Sequence, residues 1–370
     1  MRVLQLVSCR GWSSDAYWAA RVTRELERRG HSVTLGCRRS AERLVIDRVR
    51  EEGVTRIERF DFAGGVRPAA DVADVRRLAA ALGATDVVHV HRGKEHWLAA
   101  VASRLGGRPC PLVRTRHIAQ AVRPHAANRW LYRRATALVV TVTDAIRRQY
   151  LAAGLLDATR VVTLTGGADV ERYRPQPASA DTRRGLGLRG DEPLVGMVGG
   201  LRVMKGHLVV VGALRRLADT GLRPRVVFVG GGALEGTIRR GIEAAGLDGQ
   251  VSLAGFHRDP VGVLAALDVA LYAPLESDGM SRVVFECLAA GRPLIAARVG
   301  VVAEVLADGE HAVLVPAGDE QALAEALARL LGDPGLRARL GAAARALVVE
   351  RYSGARLAEA LETHYARLLA

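Results

Sequence analysis

The sequence predicts an α/β protein with two doubly wound parallel-sheet domains. Short apolar strand-like runs alternate with amphipathic helical segments, and this alternation occurs in two successive sets. The chain has 370 residues, which is more than a single core usually organises. The linker Pro175-Gln176-Pro177 separates the two sets, so we expect one domain over residues 1–175 and a second over residues 176–353.

The first set contains apolar runs of strand length, separated by segments in which apolar residues recur with helical spacing. The predicted strands are Val3–Val7, Ser32–Leu35, Val87–Val90, Leu112–Arg114, Ala137–Val142 and Val161–Leu164. The predicted helices between them are Asp15–Arg29, Val72–Leu82, His96–Leu105, Asn128–Arg134 and Asp144–Ala153.

The second set repeats this pattern after the linker. Its predicted strands are Leu194–Val198, Val226–Val229, Val251–Leu253, Val269–Tyr272, Leu294–Ala296 and Ala312–Val315. The final segment, Gly354–Leu369, has the pattern of a helix. Ligands of doubly wound sheets bind beyond the carboxyl ends of the strands, so the loops that follow strands are the candidate binding sites.

Charge is unevenly distributed along the chain. Residues 1–175 contain 31 basic and 17 acidic residues, a difference of +14, whereas residues 176–370 contain 22 of each. This excess indicates that the first domain faces an anionic partner, such as a membrane surface, a lipid-linked phosphate or an acidic glycan. An arginine-rich composition without a specific partner is the alternative. Nucleic acid is disfavoured, because aromatic residues are 4% of the chain and no nucleic-acid-binding motif occurs.

One cluster of cationic and aromatic residues lies in the first domain, and we expect it to rest on an anionic membrane surface. Its members are Arg123, Arg129, Trp130, Tyr132, Arg133 and Arg134. A solvated helix with a core tryptophan is the alternative interpretation.

The sequence contains no apolar run of the roughly 18 residues that a membrane span requires. The apolar segment Val3–Val7 has strand length and is too short for a signal peptide. Four scattered cysteines lack metal-ligand spacing and suit a reducing compartment. We therefore expect a cytoplasmic protein, with peripheral association to the inner face of a membrane as an open alternative.

A loop and helix start in the second domain carry two acidic residues, Asp278 and Glu286, eight positions apart. Ser281 is the predicted N-cap of the helix. The N–H groups of Gly279, Met280 and Ser281 then remain available for an anion or a sugar hydroxyl, and Glu286 lies roughly 7 Å further along the helix axis. The pattern predicts a site for a phosphate and a diol, and an ordinary capped helix is the alternative.

Two cations follow the first predicted strand of the second domain. Arg202 and Lys205 flank a turn there, where an ammonium and a guanidinium are placed to hold a diphosphate. Lysine occurs only at Lys94 and Lys205, whereas arginine occurs 51 times. The chain therefore uses its rarer cation at this turn. A solvated surface lysine is the alternative.

These segments together resemble the motifs of retaining nucleotide-sugar glycosyltransferases with the GT-B fold, in particular glycosyltransferase family 4. Asp278 to Glu286 is similar to the family's E-x7-E motif, and Gly199 to Gly206 is similar to its G-R-x-x-x-K-G segment. Gly166 to Pro175 is similar to its N-G-V-D-x-x-x-F-x-P segment. The chain departs from the family at Asp278, where glutamate is usual, and at Gly166, where asparagine is frequent.

The resemblance implies two Rossmann-like domains facing a central cleft, with the final helix, residues 354–370, packed back on the first domain. In the second domain it implies main-chain contacts from His257 or Arg258 to the nucleotide base. In the first domain Gly11 follows the first strand, where the family has a glycine-rich loop, although a lone glycine favours a plain turn. His117 resembles the histidine of the family's T-x-H, which points to the donor sugar, and His91 is a weaker candidate.

The chemistry that the resemblance implies is transfer of a glycosyl unit from a nucleotide diphosphate sugar to a saccharide or lipid-linked acceptor, with retention. No D-x-D occurs in the sequence. We therefore expect no metal and no cofactor, with Arg202 and Lys205 stabilising the leaving diphosphate. Alternatives are a sugar-nucleotide epimerase or hydrolase and a noncatalytic protein that binds anionic lipid or polymer. An NAD-dependent oxidoreductase is disfavoured, because no G-x-G-x-x-G follows the first strand.

Overall fold

The structure is a computed structural model that describes residues 1–106, 110–188, 192–257, 260–277 and 279–370. These residues divide into two compact units, residues 1–167 together with 354–370 and residues 168–353. Each unit contains one parallel sheet flanked by helices, which confirms the predicted fold class of two doubly wound α/β domains.

The sheet of the first unit has seven parallel strands within the described residues. They are β1 (Arg2–Val7), β2 (Ser32–Arg38), β3 (Ile57–Phe60), β4 (Val87–Val90), β5 (Leu112–Arg116), β6 (Leu138–Thr141) and β7 (Val161–Thr163). Their order is β3-β2-β1-β4-β5-β6-β7. Val3 of β1 pairs with Val33 on one side and with Val87 on the other. The strand order reverses between β1 and β4, which makes this the switch point of the sheet.

Helices of the first unit pack their apolar faces on this sheet. In the first 167 residues they are α1 (Ser14–Arg28), α2 (Arg43–Glu51), α3 (Pro68–Leu82), α4 (Gly93–Leu105), α5 (Ala126–Trp130) and α6 (Asp144–Ala152). A π-helical turn, Leu131–Ala135, continues α5. The apolar side chains of α1, which include Trp18, Val22 and Leu26, are buried against the sheet.

The strand β3 was not predicted from the sequence. Its four residues, Ile57 to Phe60, enclose two charged side chains and only Phe60 is buried, so the segment lacks the apolar run of the other strands. It lies at the edge of the sheet beside β2, where one face of a strand is enough for packing.

The sheet of the second unit has six parallel strands in the part of the chain that is described. They are β8 (Leu194–Val198), β9 (Arg225–Val229), β10 (Val251–Gly255), β11 (Val269–Tyr272), β12 (Leu294–Ala297) and β13 (Val313–Val315). Their order is β10-β9-β8-β11-β12-β13, with the switch point between β8 and β11. All six coincide closely with the predicted strands.

The helices of the second unit cover both faces of its sheet. They are α7 (Ala180–Gly185), α8 (His207–Asp219), α9 (Glu235–Ala244), α10 (Pro260–Ala266), α11 (Arg282–Ala289), α12 (Val301–Val305), α13 (Glu320–Gly332) and α14 (Pro334–Leu347). The core between α8, α13 and the sheet is aliphatic, with Val210, Leu214 and Leu327 fully buried.

The last helix, α15 (Gly354–Leu369), belongs to the first unit. Leu357, Leu361 and Tyr365 of α15 are buried there. The Tyr365 hydroxyl lies 2.5 Å from His89 Nδ1 on β4. Glu362 pairs with His31 in the turn between α1 and β2, with 3.1 Å between His31 Nε2 and Glu362 Oε1. None of the helices in the described residues combines the length and apolar character needed to cross a bilayer.

Candidate functional site

The loops after β8 and β9 are held together by backbone hydrogen bonds at the carboxyl edge of the second sheet. The N–H of Gly199 donates to the Val229 carbonyl at 2.9 Å, and the N–H of Leu201 donates to the Gly231 carbonyl at 3.1 Å. A Cβ at Gly230 would lie 1.9 Å from the Gly199 oxygen. This glycine is therefore required by the close approach of two backbones.

The predicted cationic turn is fixed against the loop that follows β11. Residues Val203–Lys205 form a 3₁₀ turn, and the N–H of Leu275 donates to the Met204 carbonyl at 2.8 Å. Gly206 has φ 75° and a Cβ there would lie 1.9 Å from the Ala273 oxygen. Lys205 is thus held directly at the switch point between β8 and β11, where ligands of doubly wound sheets bind.

Tyr272, the last residue of β11, connects the two predicted donor segments. Lys205 Nζ lies 5.8 Å from the centre of the Tyr272 ring, in a cation–π contact. The Tyr272 hydroxyl hydrogen-bonds with Ser281 Oγ. The structure therefore places Lys205 over the ring and Ser281 at the hydroxyl of one buried tyrosine.

Ser281 occupies the N-cap position of α11, as predicted, but it does not cap the helix through its side chain. Its hydroxyl is directed to Tyr272 instead. Its backbone is left-handed, with φ 51° and ψ 62°, a conformation that costs a non-glycine residue roughly 1–3 kcal/mol. Gly279 also has a positive φ of 69°, and Met280 between them is buried. Packing thus holds a strained backbone at the start of this helix.

Glu286 lies in α11 and is 4% exposed. Arg282 Nε is 3.1 Å from Glu286 Oε1, one turn earlier on the helix. The angle of this ion pair does not make a hydrogen bond, so Oε1 is buried without a hydrogen-bond donor among the described residues. A buried carboxylate oxygen in this condition is costly, and a ligand hydroxyl would satisfy it.

Of the remaining donor candidates, Arg202 is exposed beside the Gly199–Leu201 loop, with its Nε 3.6 Å from a Cβ built on Gly200. His257 follows β10 and is partly buried. Arg258 and Asp278 lie outside the described residues, so their predicted roles stay predictions.

His207 was not singled out in the sequence, although it begins α8 directly after Lys205-Gly206. It is buried against Phe228, with ring centroids 5.1 Å apart, and neither ring nitrogen has a hydrogen-bond partner among the described residues. Burial, with a further contribution from Lys205, lowers the pKa of His207 to about 4. Its ring is therefore neutral beside the cationic turn at neutral pH.

In the first unit, His117 lies at the carboxyl end of β5 and joins a buried group of histidines. His117 Nε2 is 3.1 Å from His91 Nδ1, and His91 Nε2 is 2.8 Å from Gln5 Oε1 on β1. His89 and His91 lie on the same side of β4 and stack with ring centroids 4.8 Å apart. The Trp18 ring packs edge-on against all three histidines.

An ion pair lies next to this group, between Asp15 at the start of α1 and Arg92 after β4. Arg92 donates to both carboxylate oxygens, with Nη2 3.1 Å from Oδ1. Burial favours the neutral acid, but the hydrogen bond from Arg92 and the neighbouring His117 help to lower the pKa of Asp15 to about 2. Burial lowers the pKa of His117 to about 4, against the opposing effect of Asp15. At neutral pH a carboxylate therefore lies beside a neutral imidazole.

Gly11 lies in the loop after β1, where a Cβ would be 3.6 Å from the Glu42 carboxylate. Its predicted role in donor binding stays a prediction. Sequence reasoning missed Gln5, Asp15, Arg92 and Tyr272. Asp15 and Arg92 each follow a strand, which was a usable signal, but the contact between them depends on the strand order.

Among the described residues, no group of three or more histidine, cysteine, aspartate or glutamate side chains is placed to hold a metal ion.

Family comparison gives two adjacent matches. Residues 16–172 match the family described as Glycosyltransferase Family 4, and residues 179–347 match Glycosyl transferases group 1.

Curated relatives are similar over parts of the chain. A D-inositol 3-phosphate glycosyltransferase of Saccharomonospora viridis is 31% identical over 319 residues, which are 78% of this chain and 71% of the relative. A D-inositol 3-phosphate glycosyltransferase of Corynebacterium glutamicum is 34% identical over 196 residues, which are 50% of this chain and 46% of that relative. The chain therefore spans about half the length of the second relative.

Among solved structures, Anabaena Alr3699/HepE in complex with UDP-glucose is similar across nearly the whole chain. The TM-score is 0.81 at 20% identity, with 99% of this chain and 100% of the other covered. At this identity the likeness shows the fold.

Proposed function

Since the chain belongs to the glycosyltransferases of family 4, with its second part in group 1, we propose that it transfers a glycosyl unit from a nucleotide diphosphate sugar to an acceptor. We further propose that the anomeric configuration is retained. The observation that carries the donor assignment is the contact of Lys205, Tyr272 and Ser281 at the switch point of the second sheet.

The donor's diphosphate belongs at this contact. Departure of the nucleotide adds negative charge to the diphosphate, and a cation held in place before the reaction stabilises that charge more than a mobile one. Lys205 is held in place because the next residue, Gly206, lies close against the Ala273 carbonyl and because its ammonium contacts the Tyr272 ring. Arg202, three residues earlier, supplies a second cation, and the helix start at Gly279 and Met280 supplies N–H groups.

The ribose of the donor belongs further along α11. Glu286 Oε1 is buried without a hydrogen-bond donor among the described residues. A ribose hydroxyl would donate a hydrogen bond to this oxygen. A hydrogen bond to a charged acceptor contributes roughly 1.5–3 kcal/mol to the binding free energy. The base then lies toward the loop after β10, near His257. The solved relative binds UDP-glucose, so UDP is the first nucleotide to test on this chain.

We propose that no metal takes part, with Arg202 and Lys205 stabilising the leaving diphosphate. The absence of a D-x-D in the sequence supports this proposal. Transfer should then persist in excess EDTA. Loss of activity in EDTA, restored by magnesium or manganese, would show that a metal is required.

The acceptor that the first unit suits best is a saccharide or lipid-linked saccharide with an anionic group. Arg10, after β1, and Arg38, at the end of β2, converge over Gly64. A Cβ on that glycine would lie 3.0 Å from Arg10 Nη2 and 4.0 Å from Arg38 Nη2. Neither guanidinium pairs with a carboxylate among the described residues. Two like charges held this close favour an anion between them.

A surface of the first unit supports peripheral binding to an anionic membrane. We call it the tryptophan patch, and it consists of Trp97, Val101, Arg104, Leu105 and Trp130. The two tryptophan rings stack at 5.9 Å, and Arg104 lies 5.6 Å from the centre of the Trp130 ring. Val101 and Leu105 are 41% and 68% exposed on the same stripe of α4.

Tyr132 of the predicted membrane cluster is buried and hydrogen-bonds with Tyr150, so its inclusion in that cluster was wrong.

The donor assignment is tested by calorimetry with UDP and by transfer assays with a panel of UDP and GDP sugars. Glu286→Gln should weaken nucleotide binding about 10- to 100-fold, because it loses a charged hydrogen bond. Lys205→Ala should lower kcat about 10²- to 10³-fold with a smaller change in the donor KM. Controls are Glu243→Gln, an exposed acid on α9, and Lys94→Ala, at the other lysine of the chain.

Unchanged nucleotide affinity in Glu286→Gln, or near wild-type kcat in Lys205→Ala, would remove that residue from the site. Hydrolysis or epimerisation of the sugar nucleotide with no transfer to any acceptor would favour the alternative activities on this fold.

Membrane binding is tested by liposome flotation. Binding should require anionic lipid and weaken with salt, since each basic residue near the surface contributes about 1 kcal/mol. The variant Val101→Gln with Leu105→Gln should float less, whereas Leu208→Gln, at an exposed leucine of α8 in the second unit, should not change flotation. Flotation that ignores both lipid charge and salt would contradict the proposal.

A further inference from the structure

The geometry points to a fixed polarity in the chain of hydrogen bonds from Gln5 through His91 to His117. We infer that Gln5 and His91 are positioning residues that hold His117 in the Nε2–H tautomer, with Nδ1 as a bare acceptor for a ligand hydroxyl. The inference deepens the proposed function and depends on it for the identity of the ligand.

The two imidazole rings in this series of hydrogen bonds, those of His91 and His117, each carry one N–H and one lone pair. Burial lowers the pKa of His91 far below its usual value, with His89 adding to the effect, and burial lowers the pKa of His117 to about 4. Both rings are therefore neutral at neutral pH, and a neutral imidazole donates from one nitrogen and accepts at the other.

The polarity begins at Gln5. Its Oε1 lies 2.8 Å from His91 Nε2 and can only accept, so His91 carries its proton on Nε2. His91 Nδ1 then holds the lone pair, and His117 Nε2, 3.1 Å away, must donate to it. The remaining nitrogen, His117 Nδ1, is left with a lone pair. It is buried and has no hydrogen-bond partner among the described residues.

The surroundings of His117 indicate that its ligand is a group that donates a hydrogen bond. Asp15 is already satisfied by Arg92 and Ser13, so it does not compete for the imidazole. A bare nitrogen accepts from a hydroxyl but has no proton for a phosphate or a carboxylate. His117 therefore selects a hydroxyl of the sugar or of a polyol acceptor, and an acidic group at that position is disfavoured.

Nitrogen-15 NMR of the histidine-labelled protein tests this directly, without any ligand. The His117 and His91 signals are assigned by their loss in His117→Gln and His91→Gln. We expect Nε2 of both rings to show the shift and coupling of a protonated nitrogen and Nδ1 the shift of a bare one. Protonated Nδ1 on His117 would overturn the inference, because it would mean that the Gln5 amide donates and the polarity is reversed.

Gln5→Met tests the positioning role, because methionine has similar length and no strong acceptor. We expect His117 to become a mixture of tautomers and kcat/KM for the donor to fall about 3- to 10-fold, the loss of roughly one neutral hydrogen bond. The matched control is Gln250→Met, which removes another buried glutamine in the second unit and should leave the His117 signals unchanged. An unchanged tautomer in folded Gln5→Met would show that Gln5 does not set it.

The tautomer of His117 and its role in transfer are tested by separate measurements. If the wild-type tautomer is as expected but His117→Gln leaves transfer unchanged, the role of His117 in the proposed function fails while the polarity stands. The wild-type spectrum decides the polarity even if Gln5→Met does not fold.

Discussion

At the scale of single residues, His207 links protonation to stability. Neither ring nitrogen has a hydrogen-bond partner among the described residues, and burial, with Lys205 nearby, lowers its pKa to about 4. In the unfolded chain an imidazole titrates near about 6.5. Between these values the unfolded state binds more protons than the native state. The stability is therefore complete above about pH 6.5 and falls as the pH drops toward 4.

His207→Phe should reduce this pH dependence. Each proton taken up on unfolding contributes a slope of up to about 1.4 kcal/mol per pH unit, and phenylalanine removes one such proton while keeping an aromatic ring against Phe228. Urea unfolding at pH 7.5 and pH 5 measures it. His125→Phe, at an exposed histidine, should keep the wild-type slope. An unchanged slope in His207→Phe would mean that this ring is solvated in the native state.

Sequence spacing identified Lys205 and Ser281 as candidates because they lie after a strand and at a helix start that the apolar pattern marks, and it identified Glu286 inside the helix that Ser281 begins. It did not predict the Tyr272 hydroxyl as the partner of Ser281. Nor did it predict the contact of Lys205 with the Tyr272 ring, which depends on β11 lying beside β8, and no local pattern specifies that neighbour. The prediction that Tyr132 belongs to the membrane cluster was wrong for a related reason. Proximity along the sequence does not show which side chains point into the core.

At the scale of elements, the turn between β8 and α8 depends on Gly206. Its φ of 75° is left-handed, and a Cβ would lie 1.9 Å from the Ala273 oxygen. Gly206→Ala should therefore destabilise the protein by the left-handed cost of about 1–2 kcal/mol plus about 1–3 kcal/mol for the displaced backbone. It should also lower kcat, because the displacement moves Lys205.

Gly221→Ala is the matched control for that variant. Gly221 follows α8 with φ 86°, and a Cβ there would meet nothing within 4 Å. Gly221→Ala should lose only the stability that a left-handed backbone costs an alanine, and its kcat should be normal. Thermal melts and steady-state kinetics compare the two variants. Equal losses of stability would show that the approach to Ala273 is not what requires glycine.

Most elements followed from the period of apolar residues, and the exceptions have physical reasons. The second sheet, apart from its half-buried edge strand β10, is buried on both faces, so its strands are continuous apolar runs. The edge strand β3 buries only Phe60 of its four residues and has no such run. The predicted helix over 128–134 is instead α5 and a π-helical turn, because Leu131 and Tyr132 turn into the core at that point.

At the scale of the whole molecule, the first unit is assembled from two separate segments of the chain. Deleting residues 354–370 should unfold this unit and spare the second. Loss of Leu357, Leu361 and Tyr365 from the core removes roughly 1.5–3 kcal/mol for each side chain, which approaches the stability of a typical domain. Hydrogen exchange should show lost protection in β1 and β4 and retained protection in β8 and β11.

Tyr365→Phe is the milder comparison. It keeps the buried ring but loses the hydroxyl at His89 Nδ1, so it should cost about 1–3 kcal/mol and leave the first unit folded. Full protection of β1 and β4 after the deletion would show that α15 only covers a unit that is stable without it.

The place of α15 in the first unit also sets an order of events on the ribosome. The polypeptide must be extended through all of residues 168–353 before Gly354–Leu369 is synthesised. At about 5–20 residues per second this takes roughly ten to forty seconds. During that interval the nascent first unit exposes the apolar surface that Leu361 and Tyr365 will later cover, and by its end the second unit has its entire sequence. The part of the protein that is translated first is therefore the part that is completed last, and it is the stage at which a chaperone would have most to bind.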